Sequence, residues 1–201
     1  MDRIRKSIAA PGQYKKPESI AQWMADNLET ETALAASKTA LDGTWGRIAC
    51  IGWAIDNGPI MVTQFGTEAD TLDCWATDLQ EYVRRVNGDD PRWYTRLNWI
   101  GHNLINFDLR FLWQRSRVLG IKLDFPLPVE RFPKNVYDTM VEWCGYGKYV
   151  KQTDLELAFG IVRDDKITGA EVSTASPLEI AQHCQEDVRC LREIYCRMVQ
   201  A

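Results

Sequence analysis

The 201-residue chain has no run approaching the ~20 apolar residues that a membrane-spanning helix needs, so no membrane association is expected. It also has no excess of positive charge. Its formal net charge is −4, and the broad basic footprint of many nucleic-acid binders is missing. Six cysteines (Cys50, Cys74, Cys144, Cys184, Cys190 and Cys196) show no CxxC spacing, and only two histidines accompany them. This argues against a zinc site and for reduced thiols in a cytoplasmic protein. The basic start, MDRIRKSIAAPGQYKKP, has no apolar core and does not read as a secretory signal. No internal repeat or low-complexity tract is present.

A low net charge does not exclude a nucleic-acid substrate. An enzyme that holds metal ions on carboxylates carries negative charge in its own site, and the ions then meet the phosphates. The hydrophobic content of 45% is enough to build a core, so one domain over 1–201 is expected, with 1–17 as an irregular lead-in. The eight tryptophans are expected mostly as core anchors.

Periodicity gives the elements. Ile20, Trp23, Met24 and Leu28 recur at helical spacing and predict a helix from Glu18 to about Ala36. The apolar run GRIACIGWAI, 46–55, predicts a buried strand. Asp56-Asn57-Gly58 then signals a hairpin turn, with Pro59–Phe65 as the antiparallel partner. Leu72, Trp75, Leu79, Tyr82 and Val83 mark one face of a helix over Thr67 to about Val86. A strand is expected over Leu97–His102 and a helix over Phe107–Leu119. Short helices follow, one opening at Tyr137 and one over Thr153–Phe159 that ends at Gly160. Ser176-Pro177-Leu178-Glu179 is a capping box that launches a helix to about Met198. The order of elements predicts a mixed α/β domain.

Two stretches carry candidate chemistry. Asp108 follows an apolar strand and opens a helix, where ligands collect in α/β sheets. A carboxylate there also serves a helix dipole without any further role. His183 and Asp187 lie four apart on one helical face. A carboxylate beside a group that takes a proton near neutral pH suits hydrolysis. A simple contact between the two on a solvated face is the alternative.

Asn103-x-x-x-Phe107-Asp108, Tyr137-Asp138-Thr139 and His183-x-x-x-Asp187 together resemble the second and third motifs of the DEDD (DnaQ-like) 3′–5′ exonucleases. Leu155-Glu-Leu-Ala-Phe-Gly-Ile161 and GRIACIGWAID are also similar to that superfamily, with the likeness nearest to phage-type and PolB-like members. The resemblance implies an RNase H-like fold, a mixed sheet flanked by helices. It implies two divalent ions, Mg²⁺ or Mn²⁺, acting on single-stranded DNA ends. Asp108 and Asp187 are implied as metal ligands and His183 as general base, with Asn103 and Phe107 supporting the second motif. Asp138 is read as structural, a helix cap. The spacing of His183 and Asp187 is that of the branch that uses tyrosine in place of histidine. The first motif, an apolar strand with Asp-x-Glu, is not found, so the first central strand of the sheet is expected to be missing from a truncated chain or supplied by self-association. A catalytically silent nucleic-acid- or partner-binding module of the same fold is the second expectation.

Overall fold

The computed structural model describes residues 2–38, 41–88, 90, 92–164, 167–169, 171–172 and 174–200. It divides into two compact units, Met1–Gly46 and Arg47–Ala201. The first holds α1 (Asp2–Arg5) and α2 (Pro17–Lys38). The lead-in is therefore not wholly irregular, because one helical turn forms before Pro11 breaks the chain. Ile20 and Leu34 of α2 remain exposed, as its weak amphipathic pattern implies.

The second unit is mixed α/β. Its elements are β1 (Ile51–Trp53), β2 (Met61–Thr63), α3 (Glu68–Asn87), β3 (Trp99–Gly101), α4 (Asp108–Leu119), β4 (Val136–Asp138), α5 (Thr139–Cys144), α6 (Gln152–Phe159) and α7 (Pro177–Val199). The hairpin forms as expected. β1 and β2 pair antiparallel with Gly52 opposite Val62, and Asp56 takes the left-handed turn conformation (φ 47°). β3 and β4 pair in parallel with Ile100 opposite Tyr137. Among the described residues these are two separate two-stranded ladders.

Two sequence expectations need correction here. The run 46–55 is not one long strand, since only its centre pairs with a neighbour. Tyr137 and Asp138 do not open a helix: they end β4, and α5 starts at Thr139 with Asp138 as its cap. The β-branched Val136 and aromatic Tyr137 suit a pleated position, and a helix-type count over so few residues carries little weight.

The main core lies beneath α3, whose Leu72, Trp75, Leu79 and Val83 are all buried, with Ile48, Ile51, Trp93, Leu109 and Phe125 against them. Trp75, Trp93 and Trp99 each meet the Phe125 ring at 5.1–6.4 Å between centroids. Of the eight tryptophans, however, only Trp75 and Trp93 are fully buried, while Trp45 and Trp143 are exposed. A second cluster joins Leu155 and Ile161 to Cys190 and Ile194 of α7. Gly160 closes α6 in the left-handed conformation (φ 66°), so the chain reverses and brings Ile161 back onto that cluster. α7 packs on both strands of the hairpin and on α5 and α6. Most of its apolar side chains are half-buried rather than fully covered.

Candidate functional site

The candidate residues come from the ends of β3 and β4, from the first turn of α4 and from α7. After β3 the chain turns sharply at Asn103, which has a positive φ of 56°, a conformation asparagine tolerates better than most residues. Buried Asp138, at the end of β4, holds that turn. Its carboxylate accepts the Asn103 N–H at 2.8 Å, the Ile105 N–H at 3.1 Å and the Met140 N–H at 3.1 Å. Asp138 is thus a structural carboxylate that fixes the loop before α4 and caps α5. Phe107 is the residue before α4, and its ring packs on Phe111 at 5.6 Å. Asn103 and Phe107 shape the backbone that presents Asp108.

Asp108 occupies the first turn of α4. It is solvent-exposed, yet protein crowds its carboxyl from several sides. Loss of solvent pushes its pKa from 3.8 to about 7, and the charges of Asp187 and Asp138 push in the same direction against its own N–H. Asp108 and Asp187 are separated by most of α4, β4, α5 and α6 in sequence, yet the charge of Asp187 reaches Asp108 through space.

His183 and Asp187 lie on the same face of α7, with Nε2 and Oδ2 3.6 Å apart. Arg163, which sequence reasoning missed, reaches both. Its guanidinium donates to Asp187 Oδ1 at 2.7 Å, lies 3.5 Å from His183 Nδ1, and donates to buried Glu156 at 2.8 Å. Gln152 donates to Glu156 Oε1 at 2.9 Å and to the Asp187 carbonyl at 3.2 Å. Asp187 therefore shares its charge with an arginine. Arg163 sits in a polar loop with no motif of its own, so only its position after the Gly160 turn offered a signal.

His102 is the second residue missed. Its ring meets the Thr139 hydroxyl at 2.9 Å and the Val150 carbonyl at 2.9 Å, which ties the loop after α5 to the end of β3. Burial holds this imidazole below its ordinary range, although the Val150 carbonyl, Asp138 and Glu156 pull it up. The neutral ring then donates from Nε2 to Val150.

Two other surface features belong to the same unit. The end of α5 exposes Trp143 and the loop after it exposes Tyr146 and Tyr149, with exposed Phe132 beside Tyr146 at 5.1 Å between ring centroids. Arg131 lies over the Phe132 ring, and Lys134, Lys148 and Lys151 are exposed nearby in sequence. A cavity of about 300 Å³ opens elsewhere, between the far half of α4 (Trp113, Ser116, Arg117) and Leu123–Leu127, and Asp108 takes no part in it.

No group of three or more His, Cys, Asp or Glu side chains among the described residues is arranged to hold a metal ion. No helix among them is long and apolar enough to cross a membrane. Comparison with protein-family models, with curated proteins and with solved structures finds no match.

Proposed function

We propose that the unit Arg47–Ala201 is the body of an RNase H-like 3′–5′ exonuclease that shortens single-stranded DNA ends with Mg²⁺ or Mn²⁺. The observation that carries this reading is that two carboxylates remote in sequence, Asp108 from α4 and Asp187 from α7, come near enough for the charge of Asp187 to raise Asp108. Negative charge gathered around the exposed Asp108 favours a cation. The order of elements also supports it: an antiparallel hairpin, a helix, a parallel strand pair, and a long helix carrying His183 and Asp187.

Asp108 and Asp187 are the proposed metal ligands, and His183 is the proposed base for the attacking water. Two carboxylates alone hold such ions weakly, and Arg163 engages one of them. The described residues therefore fall short of a complete metal site, and no bond-breaking step is derived through an ion. A working exonuclease needs further carboxylates from another segment or from a second copy of the chain. The exposed rings and cations of 131–151 fit single-stranded DNA, which binds by base stacking and phosphate contacts. Six free thiols fit a reducing, cytoplasmic setting.

The Arg163–Asp187 ion pair favours a second reading, a catalytically silent module that binds nucleic acid or a partner. A 3′-labelled and a 5′-labelled oligonucleotide with Mg²⁺ or Mn²⁺ separate the two. Shortening from the 3′ end that is lost in Asp108→Ala supports the exonuclease. Shortening that survives Asp108→Ala, or no shortening at all, overturns it. Oligonucleotide binding without turnover leaves the silent module, and no binding even at low salt removes that as well.

A further inference from the structure

Two of the six cysteines meet where β1 packs on α7, one helical turn from Asp187. Cys50 enters β1, and its Sγ lies 3.8 Å from the Ile180 carbonyl on α7. Cys184 sits one turn further along that helix, where the i to i−4 helical bond sets its N–H against that same Ile180 carbonyl, so both cysteines lie at one backbone oxygen. Gly52 explains why they come so close. A Cβ at Gly52 would stand 2.8 Å from both the carbonyl and the Sγ of Cys184 and 3.0 Å from Val188, so only glycine lets the strand lie against the helix here. Residues 50 and 52 are two apart, so on extended chain their side-chain directions fall on one face, the face that α7 covers. Both thiols are partly accessible.

We propose that Cys50 and Cys184 form an oxidation site, a dithiol that a low-molecular-weight disulfide of the glutathione type converts to an internal disulfide bridging the hairpin and α7. The Cys50 thiolate attacks one sulfur of the small disulfide. That S–S bond breaks, one small thiolate leaves with the bonding pair, and it takes up a proton from solvent. Cys184 then loses its proton to solvent and attacks the Cys50 sulfur of the mixed disulfide, which expels the second small thiolate. The protein loses two electrons and two protons, and the small disulfide gains them as two thiols.

The order of attack follows from the pair itself. The neighbouring Cys184 thiol holds the Cys50 thiol below its ordinary range, against the effects of burial and Asp187. Cys184 is raised in turn by Cys50 and by burial. A lowered thiol is the better nucleophile near neutral pH. The other cysteines are less suited. Cys190 is fully buried and pushed up to about 12, and Cys144 donates to the Met140 carbonyl at 3.0 Å. Burial and the charges of Asp78, Asp73 and Asp70 raise Cys74.

The test is oxidation of the native, full-length chain with excess oxidised glutathione, followed by thiol counting and peptide mapping. The expected result is loss of two of the six thiols and one linked peptide pair containing Cys50 and Cys184. Cys50→Ser should slow thiol loss by at least about tenfold. Cys184→Ser should stop at a glutathione adduct on Cys50, while Cys196→Ser should behave as the wild type. Linkage through other cysteines, an unchanged thiol count, or equal rates for Cys50→Ser and Cys196→Ser would overturn the proposal. Circular dichroism before oxidation confirms that each variant is folded, so a negative result bears on the thiols.

Discussion

Glu68 and Asp108 are both carboxylates in the first turn of a helix, and the protein treats them in opposite ways. Glu68 opens α3 and is 8% exposed. It accepts the Ile48 N–H at 2.8 Å and two bonds from buried Arg115, from Nε at 2.7 Å and from a terminal nitrogen at 2.8 Å. Burial pushes its pKa up, but the Arg115 hydrogen bonds, the Ile48 N–H and the arginine charges outweigh that and hold it below the ordinary range. Asp108 opens α4 at an exposed position, where loss of water around its carboxyl raises it first, its own N–H is the counterweight, and Asp187 and Asp138 add negative charge. The first carboxylate has its charge met on all sides and ties α3 to α4. The second is kept in a state the fold alone does not relieve. Position in a helix explains neither, since a dipole serves both equally. What separates a structural carboxylate from a candidate ligand is how its charge is balanced.

The largest expected effect comes from breaking the satisfied site. Glu68→Ala removes the buried carboxylate that Arg115 engages through two nitrogens and should lower the unfolding free energy by about 3–5 kcal/mol. Urea unfolding measures this. Replacing both residues with apolar side chains of similar size should restore most of the loss, because the desolvation cost leaves with the charges. The pair also carries a pH signature. The folded pKa of Glu68 lies below its ordinary value of 4.5, so its stabilisation is present above that value and disappears as pH falls through the folded one.

Asp108→Asn should act with the opposite sign. Its folded pKa is raised from 3.8 to about 7, so its ionised form penalises the folded state fully above pH 7. That penalty fades as pH falls through the window between the two values. Removing the charge should therefore stabilise the protein at pH 8, by about 1 kcal/mol once solvent screening is allowed for, and have no such effect near pH 3. Thermal unfolding of wild type and variant across this range checks it. A variant less stable than wild type at pH 8 would mean that Asp108, like Glu68, is structural.

The sequence made much of this legible. α3 declares its buried face through Leu72, Trp75, Leu79 and Val83, because a core helix must repeat apolar groups at its own period. The Asp-Asn-Gly turn and the Ser176 capping box are local chemistry, and local chemistry survives in any context. Asp138 as a cap was also readable, although the two further N–H groups it accepts depend on where β3 ends. β4 was not legible, since three residues contain too little pattern to separate strand from helix. Arg163 was not legible either. Its role depends on Gly160 turning the chain so that one guanidinium spans Glu156 and Asp187, a pairing set by tertiary structure alone. His102 belongs to the same class, because its partners Thr139 and Val150 lie 37 and 48 residues away.

The central claim is that Asp108 and Asp187 form a cation-seeking pair rather than a second structural site. Calorimetric titration of Mn²⁺ at pH 8 into wild type, Asp108→Asn and Asp187→Asn tests it most directly. The account predicts weak binding by the wild type, with a Kd on the order of 1 mM, and its loss in either variant. Absence of binding in the wild type, or equal binding in all three proteins, would contradict it.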